Sequence, residues 1–165
     1  MTVYHDTIAV HTKRGIHFED VTARVNDIVK KSGVTNGIAV VFSQHTSCSV
    51  LIQEDSEGVT YTGTSLILQD TVNCLEKIVP DCKYEGQYLH PGQYHTEQAG
   101  KLRGELPEWC LNTDGHIRSC LLGRSESIPL VDGALTLGEF GLVYFADLDQ
   151  TRERDRTVRV QIVGE

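Results

Sequence analysis

Cationic side chains are scarce in this sequence. Its 165 residues include 15 lysines and arginines against 23 aspartates and glutamates, for a formal net charge of -8. Proteins that bind nucleic acid or an anionic membrane surface usually carry the opposite excess, because they must neutralise phosphates. The composition therefore argues against both partners. A local cationic pocket for a small anion stays compatible with it.

Long apolar runs and export features are also lacking. No stretch approaches the roughly 20 apolar residues of a membrane span. Residues 1–6 have neither the basic start nor the apolar core of a secretory signal. We therefore expect a cytoplasmic protein.

The cysteines form no recognisable framework. There are five of them, an odd number, and no two have Cys-x-x-Cys spacing. In a chain without an export signal, such cysteines are typically free thiols, and burial in the core is their ordinary role.

What is present is the composition of a folded domain, with 39% hydrophobic and 23% charged residues. Apolar residues at helical spacing from Phe18 to Val29 predict a helix that Gly33 ends. A second helix is predicted at 58–79 and a short one at 116–122. Alternating or β-branched runs predict strands at 3–11, 38–42, 50–52, 127–131, 134–137, 142–148 and 157–163. The order indicates an α+β fold: one domain, residues 1–165, with a largely antiparallel sheet, two main helices and one short helix.

Residues 84–107 interrupt this pattern. They contain three tyrosines, two histidines, two prolines and four glycines. We predict an irregular loop there, and a loop of more than 20 residues in a compact domain is usually functional.

The stretch 37–55 holds the polar centre of the sequence. A segment around His45 separates two apolar runs, which we interpret as a central pair of strands. Glu54 and Asp55 follow the second run. Because a polar cluster between buried strands must be satisfied, it is usually kept for chemistry, for binding or for a tightly bonded turn.

Three of the seven histidines stand out by context, namely His45, His95 and His116. Three neutral imidazoles and a water would form an open zinc-type site. Their spacing matches no short metal motif, so the alternative is three separately hydrogen-bonded histidines.

Several segments carry a resemblance to a known family. They are residues 45–49 (HTSCS), 94–95 (YH), 115–123 (GHIRSCLLG), 128–133 (IPLVDG) and 137–138 (LG). Together, and in this order over nearly the whole chain, they resemble the YjbQ family, which bears the label secondary thiamine-phosphate synthase.

This resemblance implies a compact α+β subunit that assembles as a homotrimer. It implies a pocket where His45, His95 and His116 meet and bind a divalent metal, zinc first, with magnesium or another divalent metal as the alternative. The label implies transfer of a hydroxymethylpyrimidine unit to a thiazole phosphate. The sequence departs from the family pattern at 54–58 and 138–141, and its longer loop adds His90 and Trp109.

The remaining site candidates have simpler alternatives. Glu54 could act as a general base or orient a ligand histidine, or it could be a solvated strand end. We assign Arg118, Arg124 and Ser125 to phosphate binding, with surface ion pairing as the alternative for the arginines. For His90, a position on the loop surface is the preferred interpretation over a role as an extra ligand. The alternating charges of 152–156 are interpreted mostly as a solvated charged turn, with a subunit interface as the alternative.

The sequence hypothesis is thus a metal-assisted enzyme acting on a small phosphorylated molecule. The alternatives are a metal-dependent hydrolase of another phosphate or ester, and a non-catalytic trimer that binds a metabolite.

Overall fold

The computed structural model describes residues 1–54 and 56–165. Its strands are β1 Thr2–Thr12, β2 His17–Asp20, β3 Gly37–Ser43, β4 Cys48–Glu54, β5 Ser125–Val131, β6 Ala134–Leu135, β7 Gly141–Asp147 and β8 Arg154–Gly164. Its helices are α1 Thr22–Ser32, α2 Leu66–Ile78, α3 Gly92–Arg103 and α4 Thr113–Leu122, with a 3₁₀ turn at Pro107–Cys110. This mixed architecture confirms the α+β prediction. None of the described helices is long and apolar enough to cross a membrane.

The strands form two antiparallel sheets. The larger has the order β1-β8-β3-β5-β6, and the smaller has the order β2-β7-β4. The predicted central strand pair is therefore wrong in one respect, because β3 and β4 belong to different sheets. After β3 the chain crosses through residues 44–47 to the second sheet, and this crossing carries His45 and Thr46.

Two apolar layers hold the sheets and helices together. The main core contains Ile8 from β1, Val41 from β3 and Phe145 from β7, packed together with residues of α1 such as Val25. A second core on the other face of the small sheet joins Leu51 of β4 to Leu68 of α2. The small sheet is thus covered on both faces, which explains why β4 and β7 read as continuous apolar runs.

Two helices begin later than the sequence pattern predicts. Asp20 pairs with Tyr144 in the small sheet, and its side chain accepts a 2.8 Å hydrogen bond from the Thr22 N–H, so α1 starts at Thr22. The end at Gly33 is confirmed, since this residue adopts the left-handed conformation with φ 68°. Residues 58–65 form a turn closed by the Val59–Ser65 bridge, so α2 starts only at Leu66.

The interval 84–107 is not the irregular loop that we predicted, because it contains α3. Only Ala99 of this helix is fully buried, so it has no apolar stripe to reveal it. It carries i,i+4 contacts instead: Gln93 donates to Glu97 at 2.9 Å, and Lys101 lies 3.8 Å from the same carboxylate. Such pairs stabilise a solvent-facing helix.

Candidate functional site

A cavity of about 710 Å³ lies at the N-terminal end of α4. It is lined by Thr46, Tyr88, Leu89, His90, His95, Thr113, His116 and Ile117. The lining comes from the crossing between β3 and β4, from the segment before α3, and from α3 and α4. Helix α4 contributes three of these residues, Thr113, His116 and Ile117.

Close backbone contacts hold α4 against the small sheet. A Cβ atom at Gly115 would lie 2.7 Å from the carbonyl oxygen of Leu148, so only glycine permits this approach. The buried Ser119 hydroxyl donates a 2.6 Å hydrogen bond to the Cys48 carbonyl, and Asn112 donates to Asp149 at 2.9 Å. These contacts fix the positions of Thr113 and His116 on the helix.

Three imidazole rings converge at the cavity. The ring centre of His90 lies 4.9 Å from that of His95 and 5.5 Å from that of His116. His95 and His116 are two of the three predicted ligands. His90 is the third member in the structure; it lies in the connecting segment before α3, as predicted, but it is partly buried and lines the cavity. The signal that pointed to it was the density of histidines and aromatic residues in 84–95.

The hydrogen bonds of His90 determine its tautomer. The Thr113 hydroxyl donates its only hydrogen to the His90 carbonyl at 2.7 Å. The same oxygen lies 2.8 Å from His90 Nδ1 and must accept there, so Nδ1 carries the ring hydrogen. In the neutral ring Nε2 then has a free lone pair, which is the arrangement of a metal-binding histidine oriented by a second group.

Burial and neighbouring imidazoles favour the neutral form of His90. Its pKa lies below the usual value, chiefly because the ring is partly desolvated and secondarily because His116 and His95 are close. Three histidines so near each other would repel if all were protonated. A neutral ring is the form that binds a metal cation.

The donor set fits a borderline metal such as zinc by type. In a tetrahedral zinc site with Zn–N bonds of about 2.1 Å, two coordinating rings have centres about 5 Å apart. In the conformation shown, no three His, Cys, Asp or Glu side chains within residues 1–54 and 56–165 are arranged to hold a metal ion. Coordination would therefore require the rings to turn.

His45, the third predicted ligand, has a different role within the subunit. Its Nε2 accepts a 3.0 Å hydrogen bond from the Thr157 N–H of β8, which places the ring hydrogen on Nδ1. Burial lowers its pKa, and the nearby Arg156 lowers it further. His45 does not appear among the described residues that line the cavity, although its neighbour Thr46 does. His45 thus ties the crossing between the sheets to β8.

Arg118, one of the predicted phosphate ligands, is an interior residue. It is completely buried, and its guanidinium donates to the Val79 carbonyl at 3.1 and 2.7 Å and to Asp81 at 2.8 Å. Asp114 lies 3.4 Å away on the same helix. The pKa of Asp114 is raised, because its burial outweighs the contacts with Gln150 and Arg118. The structure thus places Arg118 between α4 and the end of α2 rather than at a phosphate site.

The other predicted site residues lie away from the cavity. Arg124 and Ser125 are exposed just beyond the C-terminal end of α4, whereas the cavity is at its N-terminal end. Glu54 is exposed at the end of β4. It follows Cys48 by six residues, which corresponds to about 20 Å along a strand. Within one subunit these three side chains do not join the histidines.

The charged segment 152–156 is not a solvated turn throughout. Arg156 is only 8% exposed and forms a double hydrogen bond with Asp147 at 2.7 and 3.0 Å. Arg154 lies 2.8 Å from the buried Asp149. These pairs join β8 to the end of β7, beside the crossing that carries His45.

Comparison with known proteins identifies relatives over the whole chain. A family model described as UPF0047 protein YjbQ-like matches residues 6–165. A UPF0047 protein from Methanothermobacter thermautotrophicus is 30% identical over 164 residues, which cover 99% of this chain and 94% of that protein. A UPF0047 protein from Synechocystis is 30% identical over 161 residues, covering 98% of this chain and 92% of the relative.

Solved structures share the fold. A YjbQ/UPF0047 family protein from Clostridium acetobutylicum superposes with a TM-score of 0.71 at 29% identity, covering 96% of this chain and 99% of that one. A protein of unknown function from Sulfolobus solfataricus gives a TM-score of 0.74 at 24% identity, with 99% and 98% of the two chains covered.

Proposed function

The chain belongs to the family of YjbQ-like UPF0047 proteins, and from this premise we propose that it is a metal-assisted enzyme acting on a small phosphorylated molecule. The observation that carries the proposal is the cluster of His90, His95 and His116, with ring centres 4.9 and 5.5 Å apart at a cavity of about 710 Å³. These three residues would hold a divalent metal, with zinc as the first choice because the donors are all imidazoles.

The side chains around the cluster support this role. The Thr113 hydroxyl keeps the ring hydrogen of His90 on Nδ1 and so leaves Nε2 available. When bound, the metal would supply positive charge that stabilises negative charge developing on phosphate oxygens. Tyr88, Leu89 and Ile117 provide an apolar wall against which the organic part of the substrate would pack.

Transfer of a hydroxymethylpyrimidine unit to a thiazole phosphate is our specific proposal for the reaction. The family resemblance supports it, and so does the cavity, which offers an apolar surface for a flat heteroaromatic ring next to the imidazoles. The departing group in this transfer is pyrophosphate, which needs cationic stabilisation as the bond to it breaks.

A homotrimer is the assembly that we propose, in the cytoplasm. Leu89 is completely exposed and Ile117 is 37% exposed, so the apolar wall of the cavity faces outwards in the single subunit. A neighbouring subunit would cover such a surface. Because Glu54 and the cavity lie at opposite ends of β4, a catalytic contribution from Glu54 would have to come from that neighbour. All five cysteines are free, which suits a reducing compartment.

Metal content tests whether the three histidines bind a metal ion. We expect protein purified without a polyhistidine tag and dialysed against zinc to retain about one metal ion per subunit. His90→Ala and His116→Ala should each lose most of it. His5→Ala, which removes an exposed histidine on β1, is the matched control and should retain the metal. Metal content that is equal in His5→Ala and His90→Ala would refute the assignment.

Turnover measurements test whether the protein catalyses the proposed transfer. The enzyme with zinc should form thiamine phosphate from hydroxymethylpyrimidine pyrophosphate and thiazole phosphate, and His116→Ala should lower kcat. Hydrolysis of a generic phosphoester without any transfer would identify a hydrolase instead. Binding of these substrates without turnover, with each divalent metal in turn, would refute an enzymatic role.

A further inference from the structure

A second cavity, of about 740 Å³, lies between α2, β2 and the segment 56–65. It shares no lining residue with the histidine cavity in the described part of the chain. Its volume falls in the range of about 300–1,000 Å³ that is typical of small-molecule sites. Nothing in the proposed function uses it.

The cavity is elongated along α2. This helix lines it through Leu68, Gln69, Val72 and Glu76, and Ser65 lines it directly before the helix begins. These positions fall on one face of the helix over three turns, and eleven residues correspond to about 16 Å of helix. A ligand that fills the cavity is therefore extended.

One end of the cavity is cationic. Lys13 and Arg14 both line it and both are exposed, and none of the ion pairs among the described residues includes either one. Arg14 also borders a smaller adjoining cavity together with Asp81, which follows the C-terminal end of α2. The cationic end therefore lies at that end of the helix. These two adjacent cations give this end a local positive charge in a chain with a net charge of -8.

His17 also lines the cavity, but its ring nitrogen Nε2 lies beside a carboxylate. Its side chain is 16% exposed. Its Nε2 atom is buried without a hydrogen-bond partner in the part that the structure describes, and the nearest carboxylate oxygen, on Glu19, is 3.4 Å away. Buried ring nitrogens are normally satisfied. The Glu19 carboxylate is the group placed to satisfy this nitrogen, and an atom without exposed surface is not open to a ligand, so the phosphate contacts fall to the arginine fork and the ammonium group.

The other lining residues suit the organic part of a phosphate ester, because they offer apolar and hydroxyl groups. Phe18, Leu68 and Val72 form an apolar middle section. Hydroxyl groups of Ser56, Thr62 and Thr64 lie toward the N-terminal end of α2.

Two carboxylates also border the cavity. Asp20 is engaged by the Thr22 N–H, whereas Glu76 is exposed on α2 toward the cationic end and opposes an anion there.

We propose that this cavity binds an extended heteroaromatic phosphomonoester, with its phosphate at Lys13 and Arg14 and its ring over Phe18 and Leu68. The proposal is independent of the metal site. It predicts that charge at the cationic end, and not the histidine cluster, controls binding.

Isothermal titration of the metal-free protein with adenosine, uridine and thymidine 5′-monophosphates and pyridoxal 5′-phosphate tests this site. At least one should bind with a Kd below about 1 mM, and its dephosphorylated form should bind at least about tenfold more weakly. Arg14→Glu should weaken binding by at least about tenfold, and Glu76→Gln should tighten it. Arg159→Glu, the same charge change at an exposed position on β8, is the control and should have no effect.

Two results would overturn the proposal. One is failure of all four phosphates to bind at millimolar concentration. The other is binding that survives Arg14→Glu but is lost in His116→Ala, because the phosphate would then occupy the histidine cavity. All these substitutions change exposed or half-buried side chains, and circular dichroism of each variant confirms that it is folded.

Discussion

Thr113 should control metal affinity without touching the metal. Among residues 1–54 and 56–165, its hydroxyl is the only group hydrogen-bonded to His90 Nδ1, at 2.8 Å, and it also donates to the His90 carbonyl at 2.7 Å. Thr113→Val has nearly the same shape but removes both contacts. The His90 ring can then adopt the other tautomer, in which Nε2 carries the hydrogen and cannot bind a cation.

The expected loss of zinc affinity can be estimated from comparable contacts in other metal sites. Removing a group that orients a metal-binding histidine typically costs about 10- to 100-fold in affinity, which corresponds to about 1.4–2.7 kcal/mol. Thr113 is only 6% exposed, so water does not readily replace the hydroxyl. We therefore expect the zinc affinity of Thr113→Val to fall by at least about tenfold.

Competition between the protein and a chromogenic zinc chelator measures this affinity directly. Thr113→Ser keeps the hydroxyl and is the matched control, so its affinity should stay within about threefold of the natural protein. Urea unfolding of both variants separates a loss of affinity from a loss of folding. Equal zinc affinity for Thr113→Val and Thr113→Ser would refute the tautomer argument.

Three further predictions concern groups outside the cluster. The pKa of His45 is lowered in the folded state, so below its unfolded value of about 6.5 the unfolded chain binds more protons than the folded chain, and stability decreases as the pH is lowered. His45→Gln should therefore make the urea midpoint less dependent on pH between pH 5 and 7. An unchanged pH profile would contradict this. Arg118→Met leaves the carboxylates of Asp81 and Asp114 without their cation, and should cost about 3–5 kcal/mol in urea unfolding, whereas a loss below about 1 kcal/mol would show that the pairs are not coupled. Gly115→Ala places a Cβ 2.7 Å from the Leu148 carbonyl, so we expect a loss of at least about 1–3 kcal/mol, and a melting temperature equal to that of the natural protein would exclude the close approach.

Much of the fold was predictable because strand periodicity is a local property. The strands at β1, β3, β5, β7 and β8 were predicted close to their observed bounds. The turn between β5 and β6 followed from Asp132 and Gly133, whose φ angles of 51° and 76° match a hairpin turn that favours this pair.

The errors have a common physical cause, which is that burial depends on partners elsewhere in the chain. Helix α3 was missed because it buries little beyond Ala99 and therefore has no apolar stripe. Arg154 and Arg156 look like surface charges in sequence, yet each meets a buried carboxylate at the end of β7. The separation of β3 and β4 into two sheets depends on their strand partners, which apolar runs do not encode.

His45 and His90 show why the candidate site could be only partly predicted. Both are partly buried histidines in connecting segments, and both have lowered pKa values. What separates them is which nitrogen is already engaged. In His45 the backbone of β8 occupies Nε2, whereas in His90 Thr113 occupies Nδ1. Partners that lie 112 and 23 residues away along the chain determine which nitrogen is engaged. Sequence context could therefore select the histidines worth considering, but only three-dimensional hydrogen bonding could assign one to the fold and the other to the cavity.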